Sequence, residues 1–287
     1  MKDTKRRLFR FSLYDRTGIA EYLVNQAKNG WMIEKIDNYG FKFRKTEPKK
    51  LSFAITYLPE FSEFTPLPND GQIKLFEFCE HTGWKNVEST LQLQVFYNES
   101  ENPIPLETDA LVELETIHKA GKKSFLLTGY LFVFVSALQL FSTVLKPFNI
   151  YSITHTILWS VLLIAHSLEL IRYYKWRKKA LKNAEIDGSF TPSKSNLILK
   201  NILTVFLIIA LLFMLVSAAF EFGSLIVINI IPGVLLFLLS VSGVLYISGV
   251  MRSSGISENT NRAITITLII FATIITITIT TVLGILF

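Results

Sequence analysis

The sequence has little cysteine, little charge and no familiar catalytic motif. Of its 287 residues only Cys79 is a cysteine, and only 18% are charged. A lone cysteine excludes an intramolecular disulfide, and no cysteine or histidine spacing resembles a zinc site. His-Glu-x-x-His, Walker and Gly-x-Ser-x-Gly motifs are missing too, which disfavours the common metal-dependent, nucleotide-hydrolysing and serine hydrolases. The sequence therefore indicates no enzyme, no metal and no cofactor.

The N-terminus also lacks the features of a secretory signal. Its first 16 residues, MKDTKRRLFRFSLYDR, alternate basic with aromatic residues and contain no apolar core of about 7–15 residues. We therefore expect the first part of the chain to stay in the cytoplasm.

Long apolar runs dominate the rest of the chain. Over all 287 residues, half are hydrophobic and the mean hydropathy is +0.40. A helix needs about 20 apolar residues to cross a bilayer. Five runs reach that length, at 124–145, 150–171, 201–220, 224–251 and 263–287. The sequence predicts a cytoplasmic domain over 1–120 and an all-α membrane domain over 121–287.

The distribution of charge predicts how the chain is oriented in the membrane. Residues 1–123 carry 18 basic and 18 acidic residues, whereas 124–287 carry 29 − 18 = 11 basic and 23 − 18 = 5 acidic residues, a net charge of +6. Eight of these bases lie in the 172–200 connection, which we therefore expect on the cytoplasmic side. The prediction is a multi-pass protein of the cell membrane with its N-terminus inside and its C-terminus outside. Because the bases flank spans, no nucleic-acid partner is needed to explain them.

Six bases follow the second run almost directly and form a predicted lipid-facing cluster: Arg172, Lys175, Arg177, Lys178, Lys179 and Lys182. Anionic headgroups attract such clusters by about 1 kcal/mol per base. Membrane lipids are thus the expected partner of this segment, either as a simple anchor or beside a contact with the soluble domain. The stretch from Asn183 to Asn196 is predicted to be a flexible loop.

The first 120 residues are predicted to be a duplicated α+β domain. Strand-like alternation at Phe9, Phe11 and Leu13 precedes a helix capped by Asp15. Two short strands follow, over 31–36 and 41–43. The same order recurs with a strand over 51–57, a helix over 70–83 and strands over 84–87 and 91–97, so both halves are strand, helix, strand, strand. Asp109 is predicted to cap one more helix before the first span.

Gly30-Trp31 and Gly83-Trp84 occupy the same helix-exit position in the two halves. Glycine tolerates the left-handed backbone at a helix end, and a following tryptophan can bury its ring below the helix. Two interpretations stay open for Trp31 and Trp84: core residues or rings that stack on a ligand.

These motifs resemble a known family, the bacterial domain of unknown function 2812 family, over roughly residues 5–120. The resemblance rests on Ala27-Lys-Asn-Gly30-Trp31, Phe41-Lys-Phe43-Arg-Lys, Gly83-Trp84 and Thr108-Asp109. It implies an N-terminal domain followed by membrane helices, no assigned activity, and genes near PadR-like transcriptional regulators, hence a role in envelope or stress regulation. The duplicated unit also looks like gyrase-inhibitor-like effector-binding domains, an analogy at the level of fold.

The connection at 58–70 carries Phe61 and Phe64 between prolines, whereas the matching step in the first half is almost direct. Prolines pre-set an extended backbone, which indicates an ordered surface loop. The loop either covers one end of the core or acts as a lid or docking segment, with both phenylalanines as candidate ligand or partner contacts.

His166 and Glu169 are the intramembrane polar candidates because they lie three residues apart in the second run. They form either a structural pair at the interface, a polar contact with another span, or a proton or ion site. Pro232-Gly233 could kink the fourth run, a feature of some transporters.

Two functions remain. The preferred one is a non-enzymatic, membrane-anchored sensor or regulator whose cytoplasmic domain binds a small molecule or protein partner. The alternative is a small transport, permeability or immunity-type membrane protein with an accessory soluble domain. The sequence does not indicate an oligomeric state.

Overall fold

The structure is a computed structural model that describes residues 3–286 except 9, 10, 13, 38, 39, 60, 61, 63, 67, 68, 91, 108, 144–147, 194, 196 and 224–230. The chain forms two compact units. The first comprises Met1–Phe61, Asp70–Ala137 and Leu162–Val205, and the second comprises Ser62–Asn69, Leu138–Val161 and Phe206–Phe287.

An α+β part precedes a helical part, as the sequence predicts. In the first part the order is β1 (Thr4–Arg7), α1 (Arg16–Lys28), β2 (Trp31–Asp37), β3 (Gly40–Lys45), β4 (Ser52–Tyr57), α2 (Asp70–His81), β5 (Lys85–Thr90), β6 (Leu93–Asn98) and α3 (Ala110–Lys123). The helices that follow are α4 (Phe125–Thr143), α5 (Ile150–Asp187), α6 (Leu197–Phe222), α7 (Ile231–Ser253) and α8 (Glu258–Leu286).

The duplication is visible as two antiparallel three-stranded sheets of the same order. The first is β1-β3-β2 and the second is β4-β6-β5. Each half has a register shift in its second strand, between Ile33 and Lys35 in one and between Asn86 and Glu88 in the other. Gly30 and Gly83, at the two helix exits, have φ values of 75° and 80°. The predicted repeat is therefore confirmed.

The main core lies between the two sheets and the helices α1 and α3. On α1, Ile19, Leu23 and Ala27 are buried, and the Asp15 side chain accepts a hydrogen bond from the Gly18 N–H, as a helix cap does. These three side chains are spaced at four residues, so they share one face of α1. The face packs with Phe41, Phe43, Phe53, Ile55, Leu93, Val95 and Ile117 in one cluster.

The other face of the second sheet is covered by α2. Val95 and Phe96 are neighbours in β6 and point to opposite faces, Val95 into the main core and Phe96 towards Cys79 and Trp84. Gln72 of α2 donates to the buried Gln94 at 3.2 Å. The second half thus has a small core of its own behind its sheet.

The first strand is not where the alternation predicts it. The structure places β1 at Thr4–Arg7, paired with β3 so that Arg7 lies opposite Phe41. Phe11 lies outside the ladder and packs its ring against Tyr22 and Phe41. Phe9 and Leu13 lie outside the described residues. The alternation at Phe11 therefore reflects aromatic packing in the core rather than strand pairing.

Five helices in the described part are long and apolar enough to cross a membrane, which makes the chain a multi-pass membrane protein. They are α4, α5, α6, α7 and α8. With 38 residues α5 is about 57 Å long, whereas a bilayer core is about 30 Å thick. The helix continues to Asp187, so the predicted flexible loop from Asn183 is wrong at its start.

Within the first unit α4 and α5 run side by side. Phe132 stacks on His166 with ring centroids 4.5 Å apart, and a Cβ on Gly129 would lie 3.0 Å from Leu170. The Tyr130 and Tyr174 hydroxyls are 2.6 Å apart. The two helices are therefore antiparallel neighbours, with the start of α4 beside residues 170–174 of α5.

The second unit holds α7 and α8 as an antiparallel hairpin and joins the start of α5 to α6. The Thr154 and Ser217 hydroxyls, both buried, are 3.0 Å apart. Helix α7 begins at Ile231, so Pro232 sits in the first turn, where a missing N–H costs nothing. In the described part of the fourth run, Pro232 therefore lies at the start of α7 and does not kink it.

Candidate functional site: the junction of the α1 turn with α5 and α6

The strongest cluster of polar contacts joins the turn before α1 to the helices of the first unit. We call it the junction. It consists of the turn residues Ser12, Tyr14 and Asp15, the α5 residues Glu169, Tyr173 and Trp176, Ser193 and Ser195 from the connection into α6, and Lys200 in the first turn of α6. These residues are 155–188 positions apart in sequence where the turn meets the later segments. The junction therefore joins the α+β part directly to two membrane-capable helices.

Glu169 is the centre of the polar side of the junction. Its Oε1 accepts from the Ser12 hydroxyl at 2.5 Å and lies 3.4 Å from both the Tyr14 hydroxyl and the Lys200 Nζ. Lys200 also donates to the Ser12 hydroxyl oxygen at 2.8 Å. Hydrogen bonds from hydroxyl and ammonium donors to a carboxylate oxygen are among the stronger ones in proteins. The ion pair joins α5 to α6, and Ser12 attaches the α+β part to both.

Asp15 fixes the other side of the turn with both carboxylate oxygens. Oδ1 accepts from the Gly18 N–H at 3.0 Å, and Oδ2 accepts from the Ser195 N–H at 2.7 Å. The Ser195 hydroxyl in turn accepts from the Ser12 N–H at 2.9 Å, and Ser193 donates to the Tyr14 carbonyl oxygen at 3.1 Å. The helix cap is thus also a tertiary contact.

An aromatic cluster backs the polar contacts. The Tyr14 ring lies 5.4 Å from Phe125, 5.1 Å from Tyr173 and 5.3 Å from Trp176, measured between centroids. Burial, with Glu169 second, raises the pKa of the Tyr14 hydroxyl to about 12. The ring of Tyr14 therefore stays neutral and acts as a packing and hydrogen-bonding group.

Tyr173 of α5 also contacts α3. It is fully buried, and its hydroxyl lies 2.8 Å from the His118 Nδ1. Burial, reinforced by Arg177 and Lys122, lowers the pKa of His118, so the imidazole is neutral at pH 7. Further along, Ala180 and Ala184 of α5 pack on Ala110 and Leu114 of α3 in a second cluster. The end of α5 is therefore part of the α+β core.

Charged groups, of which Glu113 is buried, lie next to the junction at the start of α1. Arg16 pairs with Glu113 of α3 and has Glu107 at 3.8 Å, and its guanidinium lies 4.7 Å from the Phe190 ring. Glu107 also accepts from the Thr56 hydroxyl at 2.7 Å. Burial outweighs Arg16 and raises the pKa of Glu113 to about 8.

The two candidate tryptophans have different surroundings. Trp84 is 3% exposed, and its Nε1–H donates to the Ile104 carbonyl oxygen at 2.8 Å. Trp31 is half-buried, with the Lys5 ammonium 4.1 Å from its ring centroid. Trp84 is thus enclosed in the small core, whereas part of Trp31 reaches the surface beside a cation.

The two intramembrane candidates do not share a site. The His166 Nδ1 lies 2.9 Å from the Leu162 carbonyl oxygen of its own helix, and its ring stacks on Phe132. Glu169 belongs to the junction instead. It is paired with Lys200 rather than with the nearby Arg172.

The remaining predicted residues lie elsewhere. Phe61 is outside the described residues, and Phe64 is half-buried in the second unit. In the basic cluster Arg177 is half-buried and lies 3.7 Å from Glu115. The other members are exposed and form no ion pair within the described part of the chain: Arg172, Lys175, Lys178, Lys179 and Lys182.

Most of the junction has no local signal in the sequence. Ser12, Ser193, Ser195 and Lys200 are common polar residues whose partners are far away along the chain. Only Asp15, as a helix cap, is identifiable from its neighbours. Among the described residues, no three histidine, cysteine or acidic side chains are grouped as metal ligands.

Comparison with known proteins identifies the α+β part. The model of a family described as "Protein of unknown function (DUF2812)" matches residues 15–129, which run from the Asp15 cap to the start of α4. No curated protein and no solved structure gave a significant match. The matched segment carries the repeat from α1 onward and, of the junction residues, Asp15, and the predicted resemblance is confirmed. Residues 15–129 are therefore a DUF2812 domain, from a family of proteins of unknown function.

Proposed function

We propose that the chain is a non-enzymatic, membrane-anchored sensor or regulator. Its α+β domain binds a small molecule or a protein partner in the cytoplasm, and the junction passes a change in that domain to the membrane helices. The family supplies no activity, so the proposal rests on how the domain is attached.

The observation that carries the proposal is the course of α5. The helix is unbroken from Ile150 to Asp187, and its second half contributes Tyr173, Ala180 and Ala184 to the clusters of the α+β domain. A domain held only by a flexible linker would move independently of its anchor. A helix shared by both parts moves with both, because packed helices shift as rigid elements.

Charge supports the proposed sidedness. The segment that contacts the α1 turn, from Ser193 to Lys200, belongs to the most basic connection of the chain. By the positive-inside bias this connection faces the cytoplasm, and so does the domain that it contacts. With five spans the C-terminus is then on the outer side of the bacterial cell membrane.

The test is crosslinking of the full-length protein in cells, with the crosslinked peptides identified by mass spectrometry. The proposal expects a cytoplasmic protein or a small molecule recovered with crosslinks in residues 1–120. An unrelated five-span protein, expressed at the same level, serves as the control. Crosslinks confined to α4–α8 and membrane neighbours would contradict the proposal.

Transport or permeability is the second candidate, motivated by His166 and Glu169. Its test is flux or drug susceptibility in cells that carry His166→Ala or Glu169→Ala. If His166→Ala abolishes a measurable flux while Lys179→Ala does not, the helices carry the function. We expect no effect of His166→Ala, because the described contacts of His166 are a carbonyl of its own helix and Phe132.

A further inference from the structure

The second unit contains a contact that attaches the loop between β4 and α2 to the last two helices. We infer that Ser62, Phe64 and Thr65 of this loop form a docking clasp on the α7–α8 hairpin, and that the clasp is where the α+β domain acts on the hairpin. The inference rests on the proposed function and adds the receiving helices to it. Both sides of the clasp lie in the same compact unit.

The loop side of the clasp has hydrogen bonds of its own. The Thr65 N–H donates to the Ser62 carbonyl oxygen at 3.2 Å, and the Ser62 N–H donates to the Thr65 hydroxyl oxygen at 2.9 Å. The Phe64 N–H lies 3.3 Å from the Ser62 hydroxyl. These bonds fold the segment into a closed turn, which leaves the Phe64 carbonyl and the Thr65 hydroxyl proton for partners outside it.

Asn261 is the centre of the hairpin side and is fully buried. Its Oδ1 accepts from the hydroxyls of Ser248 at 3.0 Å and Thr265 at 3.2 Å. Its Nδ2 donates to the Ser248 carbonyl oxygen at 3.1 Å and to the Phe64 carbonyl oxygen at 3.4 Å. Two acceptor sites and two N–H groups are the whole capacity of an asparagine amide. The loop therefore supplies the last partner of a buried amide that also joins α7 to α8.

Charged groups complete the clasp beside Asn261. The Thr65 hydroxyl donates to the Glu258 Oε2 at 2.9 Å, and Glu258 pairs through its other oxygen with Arg262. The Arg262 guanidinium lies 5.7 Å from the centroid of the Phe64 ring. The Phe64 carbonyl, the Thr65 hydroxyl and the Phe64 ring thus lie against Asn261, Glu258 and Arg262, respectively. Asn261 and Arg262 follow Glu258 by three and four residues, so the three share one face of the first turns of α8.

The loop connects the clasp to the α+β domain. The loop leaves the end of β4 and enters the start of α2, so both of its ends are anchored in the α+β domain. A movement of β4 or α2 changes the position of the Phe64 carbonyl relative to Asn261. Because the buried N–H has no other described partner, undocking destabilises the Asn261 contacts that hold α7 to α8.

The first experiment measures hydrogen exchange on the full-length protein in lipid nanodiscs. Thr65→Val keeps the shape of the loop side chain and removes its bond to Glu258, and we expect about tenfold faster exchange in the first turns of α8. Asn261→Leu alters the other side, and we expect a similar increase in residues 62–66. Thr116→Val is the matched control, because this exposed hydroxyl bonds only within its own helix. If each substitution raises exchange only in its own segment, the clasp does not couple the two sides.

A second experiment measures proximity instead of hydrogen exchange. Cysteines replace Thr65 and Glu258, and a short bis-maleimide is added to native membranes. The native Cys79 can stay because its thiol is fully buried. The clasp predicts rapid crosslinking of this pair and none for Thr65→Cys with Phe148→Cys, in the connection between α4 and α5. Equal crosslinking of both pairs, or of neither, overturns the inference. Capture of a cytoplasmic partner is independent of both experiments, so the clasp and the regulator function can fail separately.

Discussion

Glu113 makes the stability of the α+β domain depend on pH near neutrality. It is 3% exposed, and burial raises its pKa from an ordinary value of 4.5 to about 8 despite the paired Arg16. The other groups that face this charge cluster are Glu107, which also raises the pKa, and the buried Tyr57 of β4. Because the folded state prefers the protonated carboxyl, the stabilisation is complete below pH 4.5 and is lost as the pH rises to about 8.

The size of the effect follows from proton linkage. Within this window each pH unit removes about 1.4 kcal/mol from the free energy of unfolding, so a rise from pH 6.0 to 7.5 removes about 2 kcal/mol. That loss corresponds to roughly 4–8 °C in the Tm of a unit of this size. Glu113→Gln keeps the shape of the side chain and removes the proton equilibrium.

The assay is the apparent Tm of full-length protein in detergent, followed by tryptophan fluorescence at both pH values. The difference between Glu113→Gln and wild type isolates Glu113, because other titrating groups such as His118 contribute equally to both. We expect this difference to grow in favour of the variant by roughly 4–8 °C between pH 6.0 and 7.5. Glu115→Gln, on the exposed side of the same helix, is the control. A difference that does not change with pH would refute the reasoning.

Three further measurements test the junction and the repeat. In a double-mutant cycle Ser12→Ala and Glu169→Gln should show a coupling free energy of about 1–2 kcal/mol in thermal unfolding, whereas simple additivity would argue against the bond. Trp84→Phe removes the indole N–H that donates to the Ile104 carbonyl oxygen and part of a ring that is 3% exposed, and it should cost about 1–3 kcal/mol, measured as a lower Tm; an unchanged Tm would contradict the enclosed position. Gly30→Ala should cost more than Gly188→Ala, because both have positive φ but only at Gly30 would a Cβ lie 2.8 Å from a backbone oxygen; equal losses of Tm would count against this.

Local patterns in the sequence predict most of the elements. Asp15 and Asp109 each accept hydrogen bonds from the first turn of the helix that they were expected to cap. The apolar spacing on α1 and the two Gly-Trp steps depend on neighbours within a few residues, so they are readable without a structure. The family resemblance rests on the same short motifs and is confirmed for the same reason.

The errors and omissions come from tertiary contacts. Residues 183–187 were expected in a loop, but Ala184 packs on α3 and Asn183 donates to the Thr191 hydroxyl at 2.9 Å, which extends the helix. Phe11 contributes its ring to the core instead of a strand. Ser12 bonds to Glu169 and Asn261 bonds to Phe64, and each pair is more than 150 residues apart in the sequence. No local rule connects such residues. The sidedness of the termini and the lipid contacts of the basic cluster stay predictions.

The central claim is that one rigid helix joins the membrane to the α+β domain. It is tested most directly by amide hydrogen exchange along α5 in the full-length protein in lipid nanodiscs. The account predicts continuous protection from Leu162 to Ala184, with no faster exchange where the span ends near Ile171. A segment of fast exchange between Ile171 and Trp176 would show a hinge there and would contradict the claim.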